Sequence, residues 1–279
     1  MTEQTKVSPF IKWVGGKKQL LPELIKYAPK KFNTYYEPFL GGGAFLYQLQ
    51  PQTAVVNDAN SELINTYQQV KDHPNELITE LAKLFAQDNK ENYLKIRSAD
   101  RNGEISKYSN IDRAIRFIYI NKAGFNGLWR VNRKGQCNVP YGQHSTLKVP
   151  ESAILNDSKY FNNADIKFLN GDYQNCVKSA QKHDFVYFDP PYAPLTLTAN
   201  FTSYTKNDFG LFQQKQLRDL AFDLAQKGVY VMLSNSYTDA IKKLYADKIF
   251  HWHKVKAKRS INSNAKKRGK VSEVLITTY

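Results

Sequence analysis

Four short apolar runs, each followed at once by a polar residue, do most to limit what this 279-residue chain can fold into. They occupy residues 54–56, 166–169, 185–188 and 229–233, and are followed by asparagine, asparagine, aspartate and serine. Runs of this length are typical of buried strands in a mostly parallel sheet. A fifth stretch, 273–278, predicts a closing strand.

Amphipathic helical patterns alternate with these runs. Residues 61–70 place apolar side chains on one stripe, with Asn60 or Ser61 available as a cap. Residues 213–225 repeat the pattern, and Gly228 stands just past them. The alternation predicts a doubly wound α/β fold, in which ligands bind beyond the carboxyl ends of the strands. The polar residues after the runs are therefore expected to converge on one crevice.

The stretch 72–164 breaks this alternation. It begins with two helical patterns and then becomes basic and rich in loops. Residues 128–139 alternate around Gly135, which predicts a hairpin with that glycine at its turn. We therefore predict one domain formed by residues 1–71 and 165–279, with 72–164 inserted into it as a second domain.

The tetrapeptide Asp189-Pro190-Pro191-Tyr192 directly follows the third run. An exocyclic amine on an aromatic base is a poor nucleophile, because its lone pair is conjugated into the ring. A catalyst must accept hydrogen bonds from that amine, and the Asp189 carboxylate and the Pro190 carbonyl are two such acceptors. The prolines restrict the backbone, and Tyr192 offers a flat face for a base. The tetrapeptide predicts group transfer to an amino group on a flat ring; the alternative is a proline turn without chemistry.

A glycine-rich segment, YEPFLGGGA at residues 36–44, predicts a nucleotide-binding turn. Its glycines allow a ligand to approach the backbone, and the helix that follows supplies free amides. The segment lacks the GxGxxG pattern of nicotinamide dinucleotide sites. Phe39 together with Gly41 and Gly43 suits an adenosine without phosphates. The alternative is a tight structural turn.

Four further residues are candidates for the same cofactor. Asp58 ends the next strand, where an acidic residue can bind ribose hydroxyls, and its alternative role is a helix cap. Asp172 could accept a hydrogen bond from an adenine amine or could simply close a turn. Lys17 is placed to bind a cofactor carboxylate with Trp13 packed nearby; the alternative is a capped loop before a helix.

The chain is strongly basic, with 40 Lys and Arg against 25 Asp and Glu. Residues 254–270 contain eight basic and no acidic side chains, which favours nucleic acid as partner or a solvated basic loop. Cys137 and Cys176 lie far apart and near no histidine cluster, so neither a disulfide nor a metal site is expected. The sequence shows no secretory signal and no membrane span, so we expect a cytoplasmic protein without a membrane partner.

Several segments together resemble the Dam-type DNA adenine-N6 methyltransferases, particularly those of restriction-modification systems that act at GATC. They are KWVGGKKQLLP, YEPFLGGGAF, the Asn57-Asp58 pair, FNGLWRVNRKGQCNVPYG, FVYFDPPYAPL and SNS, and they span nearly the whole chain. Their order resembles the α order of amino-methyltransferases. The resemblance implies a Rossmann-like methyltransferase sheet, S-adenosylmethionine as cofactor without a metal, and transfer to N6 of an adenine flipped out of double-stranded DNA. It makes 72–164 the target-recognition domain.

The resemblance also implies roles for single residues. The positions that match cofactor contacts are Trp13, Lys17, Asp58 and Asp189. The positions that match DNA contacts are Lys12, Leu128 and Arg130 for the target bases, Pro140 near those bases, Phe125 in the gap left by the flipped adenine, and Asn126 on a phosphate. Arg130 has the chemistry for a bidentate contact to guanine. Gln143 and His144 stand where the family usually has arginine and tyrosine, a change that weakens a backbone contact more than base choice.

Two other functions remain open from the residues. Transfer to cytosine N4 is one, although such enzymes more often carry serine in place of Asp189. A DNA-binding protein without catalysis is the other, and the intact Asp189 and glycine turn disfavour it. The expected partners are double-stranded DNA and a cognate endonuclease that acts on the same site without direct contact. The chain is expected to be a monomer or a weak dimer.

Overall fold

The computed structural model describes residues 6–144, 146–192, 209–258 and 270–279. Its strands form one seven-stranded sheet in the order β3-β2-β1-β4-β5-β7-β6. Strand β1 runs parallel to β2 and β4, and β4 runs parallel to β5, whereas β7 is antiparallel to both β5 and β6. The predicted α/β fold with a mostly parallel sheet is confirmed. The strands are β1 Tyr35–Glu37, β2 Thr53–Asp58, β3 Asp165–Asn170, β4 Phe185–Phe188, β5 Tyr230–Ser236, β6 His251–Lys258 and β7 Lys270–Thr277.

The helices of the described ranges include those predicted from the amphipathic patterns. Asn60 is the N-cap of α3, because its side chain accepts hydrogen bonds from the amides of Glu62 and Leu63. Strand β6 and four helices, α5, α7, α8 and α10, were not predicted. The helices are α1 Leu21–Tyr27, α2 Ala44–Leu49, α3 Ser61–Asp72, α4 Pro74–Ala86, α5 Lys90–Arg97, α6 Asn110–Ala123, α7 Glu151–Asn163, α8 Tyr173–Cys176, α9 Leu211–Gln226 and α10 Asp239–Leu244.

The chain divides into two compact units. The first comprises residues 1–16, 41–52 and 58–171, and the second comprises residues 17–40, 53–57 and 172–279. The first unit contains the helices α2 to α7, and the second contains strands β1 and β4 to β7. The division into a catalytic domain at 1–71 and 165–279 and a recognition domain at 72–164 stays a prediction.

The core of the second unit fixes the end of β4. All four residues of β4 are buried, and the strand packs against an apolar face of α9. Leu217, Ala221 and Leu224 of that face are buried, as the helical pattern predicts. Burying each large apolar side chain contributes about 1.5–3 kcal/mol, so the position of the residues after β4 is set by the core.

Two kinds of feature are absent from the described part of the chain. No helix in it is long and apolar enough to cross a membrane. Groups of three or more histidine, cysteine, aspartate or glutamate side chains suited to a metal ion do not occur in these residues. Cys137 and Cys176 are both buried as free thiols.

Asp157 on α7 makes the stability of the fold dependent on pH. The residue is fully buried, and its carboxyl group accepts a hydrogen bond from the Ser8 amide at 3.2 Å. Burial raises the pKa of Asp157 to about 8. In the unfolded chain an aspartate has a pKa of about 3.9, so folding takes up a proton between these two values. The contribution of Asp157 to stability is therefore full below about pH 4 and decreases as pH rises towards about 8.

We expect the Asp157→Asn variant to lose this pH dependence and to be more stable than the wild type near neutral pH. Each unit of pKa shift corresponds to about 1.4 kcal/mol of unfolding free energy. Urea unfolding at about pH 5 and about pH 8 measures the effect. Asp223→Asn, at an exposed position of α9, is the control and should keep the slope of the wild type. An unchanged slope in Asp157→Asn would contradict the prediction.

Candidate active site

Asp189 is held at the carboxyl end of β4 by two side chains of the second unit. Its Oδ1 atom accepts a hydrogen bond from Ser234 Oγ at 2.6 Å and lies 2.9 Å from Lys17 Nζ. Strands β4 and β5 are parallel neighbours with Phe188 opposite Leu233, so the next residues of both strands meet. The side chains of Asp189 and Lys17 are only 18% and 11% exposed, which strengthens their charge interaction relative to a surface pair.

A pair of buried amides supports the backbone after Asp189. Gln214 Nε2 donates to the carbonyl of Pro191 at 3.0 Å, and Asn235 Nδ2 donates to Gln214 Oε1 at 2.9 Å. Both amide side chains are fully buried. Buried polar groups that satisfy one another define a single geometry, since breaking either bond leaves an unpaired buried group. The Pro191 carbonyl therefore has a fixed direction.

Tyr192 is held by a hydrogen bond at its hydroxyl and by a cation over its ring. Its hydroxyl donates to Glu273 Oε2 at 2.8 Å, and Lys17 Nζ lies 4.6 Å from the ring centroid. Burial, with the nearby Asp189 carboxylate as a second cause, raises the pKa of Tyr192 well above its ordinary value. The phenol stays protonated and donates to Glu273, which holds the ring in one orientation.

In the first unit, Asp58 ties the glycine turn to the start of α3. Its Oδ2 accepts from the Gly41 amide and its Oδ1 from the Asn60 amide, both at 2.9 Å. Burial raises the pKa of Asp58, and the two amide bonds oppose this rise. The alternative role of Asp58 as the N-cap of α3 is wrong, because Asn60 fills that position.

Position 41 requires a glycine for two reasons, its backbone conformation and the nearby side chain of Trp13. Its φ of +49° lies in the left-handed region, and Gly43 has φ +63°. A Cβ atom on Gly41 would lie 2.7 Å from Cδ1 of Trp13, and the Gly41 carbonyl accepts a hydrogen bond from Tyr67 at 3.0 Å. Gly41 and Trp13, both predicted to bind the cofactor, are therefore in direct contact.

Phe39 and Asp172 belong to the second unit. Phe39 stacks on Tyr173 with 5.1 Å between ring centroids and meets Phe209 edge-on at 5.6 Å. Asp172 is exposed, and its side chain accepts a hydrogen bond from the Gln174 amide at 2.8 Å, so it caps α8. Asp172 therefore has a structural role as a helix cap, where the sequence offered a turn as the alternative, and its contact with a cofactor stays a prediction.

The predicted DNA contacts near residue 125 lie on a strained turn of the first unit. Asn126 has φ +57°, and its neighbour Phe125 is 49% exposed. The Phe125 amide donates to the Pro140 carbonyl at 2.8 Å. Buried Asn121 donates to the carbonyls of Lys12 and Gly127, both at 2.9 Å, and accepts from the Lys12 amide at 3.0 Å. Lys12 and the turn are therefore held together.

The predicted hairpin is present only in a reduced form. A single antiparallel bridge joins Val131 to Cys137, and Gly135 has φ +74° at the turn as expected. Arg130 and Pro140 are exposed, and Leu128 is half-buried.

The two residues that depart from the family pattern lie just after the hairpin. Gln143 has φ +51°, and His144 Nε2 lies 3.4 Å from the Gly124 carbonyl oxygen. Of the basic block at 254–270, residues 259–269 lie outside the described residues. The structure therefore does not test this block as a DNA contact.

Five polar residues that make these contacts, in one unit or the other, carried no assigned role in the sequence. Ser234 and Asn235 had a signal, since they follow the fourth apolar run and end β5. The other three residues had no signal in the sequence, although each is polar and lies at a buried or half-buried position. They are Asn121, Gln214 and Glu273. Convergence of all strand ends on one crevice stays a prediction.

Comparison with known proteins connects this geometry to a family. Residues 13–261 match the D12 class of N6 adenine-specific DNA methyltransferases. The chain is 48% identical to the Type II methyltransferase M1.LlaDCHI of Lactococcus lactis subsp. cremoris, over 97% of this chain and 95% of that protein. It is 39% identical to the Type II methyltransferase M.MjaIII of Methanocaldococcus jannaschii, over 98% and 99%. It is 36% identical to the DNA adenine methylase of Haemophilus influenzae, over 96% and 92%.

Proposed function

Because the chain belongs to the D12 class of N6 adenine-specific DNA methyltransferases, we propose that it methylates N6 of an adenine flipped out of double-stranded DNA, with S-adenosylmethionine as donor. The observation that carries this proposal is the Asp189 carboxylate. Ser234 and Lys17 both contact its Oδ1 atom. This arrangement holds Oδ1 in place and leaves Oδ2 to accept from the amine of the base.

The residues of the tetrapeptide have separate tasks in the proposed reaction. Asp189 Oδ2 and the Pro190 carbonyl accept the two hydrogens of the adenine amine, which frees its lone pair for in-line attack. The acceptors bind more strongly as the nitrogen becomes positive, so they stabilise the transition state more than the ground state. Tyr192, held by Glu273, supplies the face on which the base stacks. Loss of an amine proton completes the transfer.

The chemistry of the predicted cofactor residues fits S-adenosylmethionine. The largely buried Asp58 carboxylate suits ribose hydroxyls, and the missing side chain of Gly41 lets Trp13 pack against the glycine turn. Trp13 and Phe39 offer aromatic faces, and the Lys17 ammonium suits a carboxylate. When bound, the cofactor supplies an electrophilic methyl group on a sulfonium.

We propose GATC as the target and protection of host DNA in a restriction-modification system as the role. The target rests on the resemblance carried by Lys12, Leu128, Arg130 and Pro140. The role rests on the two relatives named Type II methyltransferases. A cognate endonuclease would then cleave the same site without contacting this chain.

Sequencing of modified bases in plasmid DNA tests the reaction, the base and the site together. The chain is produced in a host without adenine methylation, beside the Asp189→Ala variant as control. We expect N6-methyladenine at GATC with the wild type and none with the variant. Methylcytosine would contradict the assignment to adenine, a different methylated site would contradict only GATC, and no modified base would contradict the enzyme activity in duplex DNA.

A further inference from the structure

Asn138 binds one edge of the planar Arg130 guanidinium group. Its Nε donates to Asn138 Oδ1 at 2.7 Å, and its Nη2 donates to the Asn138 carbonyl at 3.1 Å. The Asn138 amide in turn donates to the Arg130 carbonyl at 3.0 Å. A guanidinium is a planar fork with five N–H donors. Asn138 binds the Nε–Nη2 edge of the group. The other edge, formed by Nη1 and the second hydrogen of Nη2, is directed away from Asn138.

The backbone around Asn138 is anchored on its other side by charged residues. The Cys137 amide donates to Asp100 Oδ2 at 2.6 Å, and Arg101 Nη2 donates to the Cys137 carbonyl. Arg97 Nη1 donates to the Val139 carbonyl at 2.9 Å. Cys137 and Val139 are fully buried. In addition to its backbone bond with Arg130, the segment that carries Asn138 is therefore fixed to the body of the first unit by side chains of residues 97–101.

The anchor is itself rigid because a buried arginine holds it. Arg116 is 4% exposed, and its Nη2 lies 2.9 Å from Asp100 Oδ2. The same guanidinium donates to the carbonyls of Ile96 and Arg97 at 3.0 and 2.7 Å. Displacing Asp100 would leave a buried charge unpaired, which is costly. Arg116 of α6 therefore holds Asp100 in place, and Asp100 holds the backbone next to Asn138.

We propose that Asn138 is a positioning residue that determines base preference through Arg130. By binding the Nε side of the guanidinium it presents the Nη1–Nη2 fork to O6 and N7 of a guanine, the two acceptors that a bidentate arginine reads. Asn138 itself touches no base in this arrangement. This inference rests on the proposed function, which gives Arg130 its contact with guanine. It adds Asn138 as the residue that orients Arg130.

Selection of bound duplexes from a randomised DNA pool tests this positioning role without requiring methyl transfer. The wild type is expected to select a guanine at one position, and Arg130→Ala to lose that preference by about 5- to 150-fold in relative Kd. Asn138→Ala should lose preference at the same position. The double variant should match Arg130→Ala within about twofold, since both residues act through one contact. Asn138→Asp keeps the acceptor oxygen, so it should keep the preference while its added charge weakens DNA binding overall.

Asn132→Ala is the matched control on the same hairpin. Asn132 accepts hydrogen bonds from the amides of Lys134 and Gln136, so its loss loosens the turn. We expect this variant to bind all duplexes less tightly with the base preference unchanged. Preference retained in Asn138→Ala, or losses that multiply in the double variant, would overturn the positioning role. Failure of the proposed function is seen separately, as absence of methyl transfer by the wild type.

Discussion

Replacing Asp189 with alanine is expected to reduce methyl transfer by at least about 1,000-fold, because the variant loses an acceptor that strengthens as the amine becomes positive. Binding of duplex DNA and of S-adenosylmethionine should remain measurable, since the Pro191 carbonyl and Tyr192 keep their own partners, Gln214 and Glu273. Single-turnover transfer of a tritiated methyl group measures the chemical step directly. Normal transfer by the variant would refute the role of Asp189.

The Ser234→Ala variant tests whether Asp189 must also be oriented. Ser234 Oγ donates to Asp189 Oδ1 at 2.6 Å, so its removal leaves Lys17 to hold that oxygen. We expect a smaller loss than in Asp189→Ala, confined to kcat with KM for DNA unchanged. Equal losses in both variants would mean that Ser234 does more than orient the carboxylate.

Replacing Asp58 with alanine is expected to weaken binding of S-adenosylmethionine by about 10- to 150-fold, the range of one charged hydrogen bond. Two effects combine, because the ribose loses its acceptor and the Gly41 turn loses its tie to α3. Asp58→Asn should bind almost as poorly. Its carboxamide has one acceptor oxygen, so its NH₂ group faces the N–H of Gly41 or of Asn60. Isothermal calorimetry measures both variants.

Asp172→Ala is the control for the Asp58 variants. Asp172 is exposed and caps α8, so its replacement should change cofactor affinity much less than that of Asp58. Equal losses at the two positions would mean that Asp172 contributes as much to cofactor binding as Asp58. Unchanged affinity in Asp58→Ala would refute the assignment of Asp58 to the ribose.

The sequence predicted those parts of the fold that bury apolar side chains in regular patterns. Strand β4 is buried along its whole length and appears as a continuous apolar run. Strand β6 is at the edge of the sheet, and its exposed His251 and Lys254 interrupt any apolar pattern. Helix α7 buries Asp157 and Ser158 beside its apolar residues, which hides its stripe. Helices and strands that bury polar residues cannot be predicted from apolar periodicity alone, because the partners of those residues come from distant parts of the chain.

The site was predictable where its residues are neighbours in sequence. Asp189 to Tyr192 and the glycine turn could be identified locally, whereas Glu273 bonds to Tyr192 from 81 positions away. The hairpin was predicted as paired strands, but side chains of Asp100 and Arg97 take the backbone groups of Cys137 and Val139. When side chains from distant positions bind backbone groups in this way, the sequence shows no periodic pattern that could predict it.

The place of β7 in the sheet sets the order in which a newly made chain can become complete. This strand follows β6 in the sequence yet lies between β5 and β6, antiparallel to both. While the ribosome still holds residues 270–277, one backbone edge of β5 is unpaired and β6 has no partner strand in the sheet. The nascent chain also lacks Glu273, the partner of Tyr192. Such a chain has unpaired strand edges open to other chains, and the Tyr192 hydroxyl lacks its acceptor, so the addition of β7 completes the sheet and fixes Tyr192 in one step.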